Sequence, residues 1–136
     1  MSVIVSPRPP LNIFDVRRLN LSGDSWVTLL RTHSYLIPAI GPNPERPIQV
    51  VSLLTSLIVT NSISSTIDVS LRVVASGGEF TLLNQLPVPV RDFAVIELSK
   101  QNLPSGEELQ IRLNAGQTGV AHLSFVSNQR EEYEEL

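Results

Sequence analysis

Residues 48–75 read IQVVSLLTSLIVTNSISSTIDVSLRVVA, and this stretch decides the fold. Its second half, Thr66 to Ala75, alternates strictly, with Ile67, Val69, Leu71 and Val73 on one face and Asp68, Ser70 and Arg72 on the other. A period of two marks a strand with one face in a core and the other toward water. The first half, Ile48 to Asn61, is rich in β-branched residues, which fit a pleated sheet better than a helix. It is apolar on both faces: Ile48, Val50, Leu54 and Ile58 on one, Val51, Leu53, Leu57 and Val59 on the other. That predicts burial on both sides, in the centre of a sandwich or beneath an arm or a partner. The polar break Asn61–Ser65 between the two halves makes them a hairpin.

Strands continue outward on either side. Trp26 to Arg31 precedes the hairpin; Glu79–Asn84 follows the Gly77–Gly78 turn. Phe93–Leu98, Glu108–Leu113 and Val120–Val126 complete the set, the last two preceded by the turns Pro104–Ser105–Gly106 and Asn114–Gly119. Leu86–Pro89 is excluded as a central strand, because its two prolines cannot donate to a ladder. Thr32–Pro47, with Pro38, Gly41, Pro42, Pro44 and Pro47, reads as a long irregular connection. Short strands, Gly/Pro turns and no helical period predict an all-β protein: an antiparallel β-sandwich, jelly-roll-like. Trp26, Phe80, Phe93 and Phe125 fall in strand patterns and are expected in its core.

The chain has 136 residues and no cysteine, which suits one domain folding without disulfide or thiolate metal site. Its net charge is −3, with one lysine against nine arginines, a balance that argues against a nucleic-acid binder. Arginine suits protein interfaces, because its planar fork matches carboxylates. Mean hydropathy is +0.12, yet no apolar run approaches the roughly 20 residues of a membrane helix. Pro7, Pro9 and Pro10 interrupt the N-terminus and no apolar stretch of a signal peptide follows, so an intracellular origin is expected.

Candidate chemistry does not assemble. His33 stands at the mouth of the proline-rich connection without a nucleophile elbow to serve, and His122 faces away from Leu123 and Phe125. Glu107 and Glu108 are adjacent, so in a strand they point to opposite faces and do not share a site. Gly77–Gly78 is a hairpin turn, since no helix follows for a phosphate to cap. No catalytic residue, metal or cofactor is expected. Tyr35, in the long connection, is the one aromatic worth testing as a ligand contact.

The ends are more informative. Residues 1–22 form an extended arm, 23–128 the sandwich and 129–136 an acidic tail. Arg8, Arg17 and Arg18 against Asp15 give residues 1–20 a net charge of +2; Arg130 against Glu131, Glu132, Glu134 and Glu135 gives the tail −3. The arm is also apolar, through Ile4, Val5, Leu11, Ile13, Phe14, Val16, Leu19 and Leu21, and needs a surface to lie on. That surface is either its own sandwich or a neighbouring copy, with the opposite charges setting register. Arg8, Phe14, Arg17 and Arg18 of the arm, and Glu131, Glu132, Tyr133, Glu134 and Glu135 of the tail, are the candidate subunit contacts.

In the order of its parts, residues 26–126 resemble a type of small β-sandwich found among structural proteins of tailed bacteriophages. A Trp-led strand, WVTLLR, precedes a loop and the run VVSLLTSLIVTNSISSTIDVSLRVV; then come FTLLNQLPVPVRD, LPSGEELQIRL and VAHLSFV. The resemblance implies a non-enzymatic virion subunit, assembled in the host cytoplasm and repeated around a symmetry axis. A ring-forming neck or tail component is the first expectation, with itself and other virion proteins as partners and no nucleic acid, membrane or small-molecule ligand. A capsid decoration protein is an alternative of the same kind. A small glycan- or ligand-binding jelly roll, using Tyr35 and Thr32–Pro47, is the alternative of a different kind.

Overall fold

The computed structural model describes residues 11–131, and within them ten strands and no helix. In chain order these are β1 (Leu11–Ser22), β2 (Val27–Arg31), β3 (Tyr35–Ile37), β4 (Arg46–Thr60) and β5 (Ile67–Ala75). They continue with β6 (Gly78–Val88), β7 (Phe93–Glu97), β8 (Asn102–Pro104), β9 (Glu108–Arg112) and β10 (Thr118–Glu131). All seven strands read from the sequence are present, and every pairing is antiparallel.

The first sheet runs β1-β10-β4, with β3, β7 and β8 sharing the far side of β4; the second runs β2-β9-β5-β6. With β3 set aside and β7–β8 counted as one strand, chain order gives 1-8-3-6 in the first sheet and 2-7-4-5 in the second. This is the strand order of a jelly roll. The inner faces meet in one core of Leu29, Leu54, Leu57, Val59, Ile67, Val69, Leu71, Leu109, Ile111, Leu123 and their neighbours.

The strand β4 shows why its sequence looks apolar on both sides. Ser124 pairs with Ser56 and Phe125 with Leu54, so Thr55 is an extra residue, a β-bulge. The core-facing set is Ile48, Val50, Ser52 and Leu54 before the bulge, and Leu57 and Val59 after it. Much of the two-faced apolarity is therefore one buried face whose phase changes midway, rather than a strand buried on both sides. Thr55 is held in the bulge by its hydroxyl, which donates to the Ser124 carbonyl (2.7 Å), and by its carbonyl, which accepts from Leu98 N–H (3.0 Å).

Two other expectations change. The connection Thr32–Pro47 is not irregular: β3 pairs with the start of β4, and Ile40 and Asn43 close its tip with two backbone hydrogen bonds. Its prolines are accommodated because this is a hairpin at the sheet margin, where fewer amides are needed for a ladder. Leu86–Val88 belongs to β6, an edge strand, so the sequence rule against a central strand holds. Residues 11–22 are extended as expected, and their docking surface is their own sandwich, since β1 pairs with β10 from Leu11↔Gln129 to Ser22↔Thr118.

The turn joining β1 to β2 depends on a close approach. A Cβ on Gly23 would lie 2.2 Å from the Asn114 carbonyl oxygen, and Gly23 N–H donates to Gln117 O (2.9 Å). The next turn region is locked by Asn61, which is 1% exposed. Its Nδ2 lies 2.8, 3.0 and 3.0 Å from the carbonyls of Ser65, Val88 and Pro89, and its Oδ1 accepts from Ile63 N–H (3.1 Å).

Candidate assembly surface

The two outer faces of the sandwich differ in character. That of the second sheet is polar, as the alternation of Asp68, Ser70 and Arg72 predicted. Arg72 donates to Gln110 Oε1 (2.7 Å) and pairs with Glu79 (2.9 Å), and Arg31 lies 3.9 Å from Glu108. Trp26 lies against this face and not in the core, half-buried, with the guanidinium carbons of Arg72 and Arg112 4.2 and 4.7 Å from its ring centre. Such cation–π contacts shield the indole where no core is available to take it.

The outer face of the first sheet carries exposed apolar residues interleaved with polar ones. The register places Phe14, Val126 and Leu53 in one row across β1, β10 and β4, and His122, Ile58 and Val95 in another across β10, β4 and β7. Val120, Thr60 and Phe93 form a third row. Phe14 is 80% exposed, Val95 59% and Phe93 58%. Polar residues lie among these rows: Arg18 extends that of His122, Val16 shares a row with Ser124, Ser56 and Glu97, and Asn12 and Asn128 stand in line with Val51. Of the four aromatics expected in the core, only Phe125 is buried, while Phe80 and Phe93 are exposed. Phe93 obeys the alternation of its strand, and it is Ala94 and Ile96 that face inward.

The residues nominated from sequence fall in three groups. Phe14, Arg17 and Arg18 are exposed on β1, with Phe14 and Arg18 on the outer face and Arg17 on the inner side, in register with Leu123. Arg8, Glu132, Tyr133, Glu134 and Glu135, and the side chain of Glu131, lie outside the described residues. Tyr35 stands apart on β3, where its hydroxyl donates to Gln129 Oε1 (2.7 Å) and ties β3 across β4 to β10. That bond gives Tyr35 a role within the sheet.

A cleft of about 260 Å³ lies elsewhere, at the open side between β6 and β7, lined by Leu82, Leu83, Ile96 and the turn Leu98–Gln101. Its lining is mainly apolar and it draws in neither Tyr35 nor a histidine. Among the described residues, no three His, Asp or Glu side chains gather in a way that could hold a metal ion. His33 is exposed and His122 half-buried on the outer face, far apart in the topology.

The sequence hid the outer surface because Phe93 read as core and Val51, Leu53 and Ile58 read as buried, either in the sandwich or beneath an arm or partner. The available signal was an excess: β4 and β7 carry more apolar residues than one inner face can hold.

No protein-family model and no curated protein matches the chain. Among solved structures it is similar to chains of infectious bursal disease virus, of the Gt strain (14% identity, TM-score 0.37) and the Gx strain (14% identity, TM-score 0.34). The match covers 93% of this chain in both cases, but only 38% and 37% of those chains. At such scores neither the fold family nor the role of those chains transfers to this one.

Proposed function

We propose that the chain is a non-enzymatic structural subunit of a virus particle, a ring-forming component of the neck or tail of a tailed phage. Jelly rolls serve as coat proteins, lectins and cupins alike, so the fold alone does not separate these roles. The observation that carries the proposal is the set of exposed apolar residues, Phe14, Val16, Phe93, Val95 and Val120, on the outer face of the first sheet, set against the polar outer face of the second. Exposed apolar side chains spread over several strands, with polar ones between them, suit another protein surface better than a small polar ligand. The partners are further copies and neighbouring virion proteins, with Arg8, Phe14, Arg17 and Arg18 of the arm and Glu131, Glu132, Tyr133, Glu134 and Glu135 of the tail as the contact residues. The order of parts that resembles phage sandwiches favours the neck or tail.

The test is immunogold electron microscopy of purified particles with an antibody to this chain. Label at the head–tail junction or along the tail is expected. Label spread over the capsid moves the protein to a decoration role, and particles that carry none of it overturn the reading.

A further inference from the structure

The first sheet ends on β1, and β1 has no strand on its other side among the described residues. Long edge strands are ordinarily guarded by prolines, bulges or inward charges, because open amides and carbonyls recruit other strands. One edge strand of the second sheet is guarded: β6 carries Pro87, two register shifts against β5, and Gln85 at φ 54°. By contrast, β1 has no proline and keeps an unbroken register with β10 over its whole length, its one guard being the inner-side charges Asp15 and Arg17. It also exposes apolar side chains on both faces, Leu11 and Ile13 on one, Phe14 and Val16 on the other.

The hydrogen bonding shows which amides are open. Gly23, one residue beyond β1 in the same register, donates to Gln117 of the neighbouring chain segment, whereas Val16 N–H turns to the Asp15 carboxylate of its own strand (2.8 Å). In an antiparallel ladder these roles alternate residue by residue. Odd-numbered residues therefore bond to β10, and Asn12, Phe14, Val16, Arg18 and Asn20 present N–H and C=O to the free side.

We propose that this edge pairs with β1 of a second copy across a two-fold axis at Val16, joining the two first sheets into one continuous sheet. The proposal rests on the assembly reading above and names the partner of that same surface. The axis sits near the middle of the strand, so every residue from Leu11 to Leu21 finds an opposite number. Val16 meets Val16 of the second copy, Ile13 meets Leu19, Leu11 meets Leu21, and Asn12 meets Asn20. Asp15 stands opposite Arg17 of the second copy, twice by symmetry, on one face. Phe14 stands opposite Arg18 on the other, where a guanidinium covers an aromatic ring. Moving the axis by one residue sets Asp15 against Asp15 or Arg17 against Arg17, and like charges directly opposite each other are unfavourable. Among axes near the middle of the strand, Val16 is the one that matches the charges. A two-fold contact of this kind uses the same patch on both subunits and closes on itself.

The test uses the full chain in sedimentation equilibrium, with circular dichroism to confirm that each variant is folded. The wild type is expected to be a dimer or a multiple of one. Asp15→Arg or Arg17→Asp alone, by placing like charges opposite twice, raises the dimer dissociation constant about tenfold or more. The double variant Asp15→Arg/Arg17→Asp exchanges the charges and restores wild-type association, which no merely structural role of either residue does. Because the chain has no cysteine, Val16→Cys is expected to form an intermolecular disulfide on mild oxidation, while Ser99→Cys, on the far side of the sheet, does not. A wild type that stays monomeric at millimolar concentration overturns the proposal. So does a multimer that ignores the charge reversals and is not linked through Val16→Cys; in that case assembly stands and uses another edge or face.

Discussion

Asn61 ties its own turn to the end of β6 through one carboxamide, and it shows how a single polar residue can matter more than several apolar ones. Its Nδ2 serves carbonyls in the β4–β5 connection and at the end of β6. Asn61→Ala leaves those buried acceptors unsatisfied and is expected to cost about 3 kcal/mol, read as a lower urea midpoint at unchanged slope. Gly23 is the second such position. Any side chain there meets the Asn114 backbone at 2.2 Å, so Gly23→Ala forces the β1–β2 turn off the β9–β10 turn and is expected to cost about 2–3 kcal/mol by the same measurement. Trp26, the only tryptophan, reports on its own site by fluorescence. Arg72→Gln removes one of the two guanidinium groups over the ring, so a red shift in emission and a stability loss of about 1 kcal/mol are expected. None of these three contacts was visible in the sequence, because each joins residues far apart in the chain.

At the scale of the element, β4 carries the clearest lesson. Its apolar residues were legible from the sequence, but their distribution between faces was not, since one bulged residue, Thr55, exchanges the faces halfway along. Deleting Thr55 restores a regular strand and turns either Ile48, Val50 and Leu54 or Leu57 and Val59 out of the core. The expected outcome is loss of cooperative unfolding in a thermal melt, and a deletion mutant that melts like the wild type would refute the role of the bulge. The strand β7 gives the complementary case. Val95→Ser on the outer face is expected to change stability by less than about 1 kcal/mol, whereas Leu57→Ala in the core costs about 2–5 kcal/mol. The same Val95→Ser variant is expected to weaken incorporation into particles if the outer face is the contact. The alternation in β5 was read correctly because that strand is regular on its core face, with Ile67, Val69, Leu71 and Val73 buried in turn.

For the whole molecule, the proposals concern surfaces that a single chain leaves uncovered: exposed apolar residues on an outer face and an unpaired edge on the same sheet. They are linked in geometry, because pairing through β1 would lay two outer faces side by side as one wider face. The candidate contacts Phe14, Arg17 and Arg18 were legible as an apolar, basic segment in need of a surface, though the sequence left open whether that surface was internal. Both answers have a place: one edge of β1 is satisfied by β10, and the other is open. What the sequence determined by itself is the all-β class and seven of the ten strands, because a period of two and turn chemistry are local properties that survive any tertiary arrangement. What only the tertiary structure decided is the jelly-roll order, the phase change in β4 and which apolar residues remain outside. Each of these depends on strands distant in sequence competing for one finite core, and the residues that lose that competition form the outer surface.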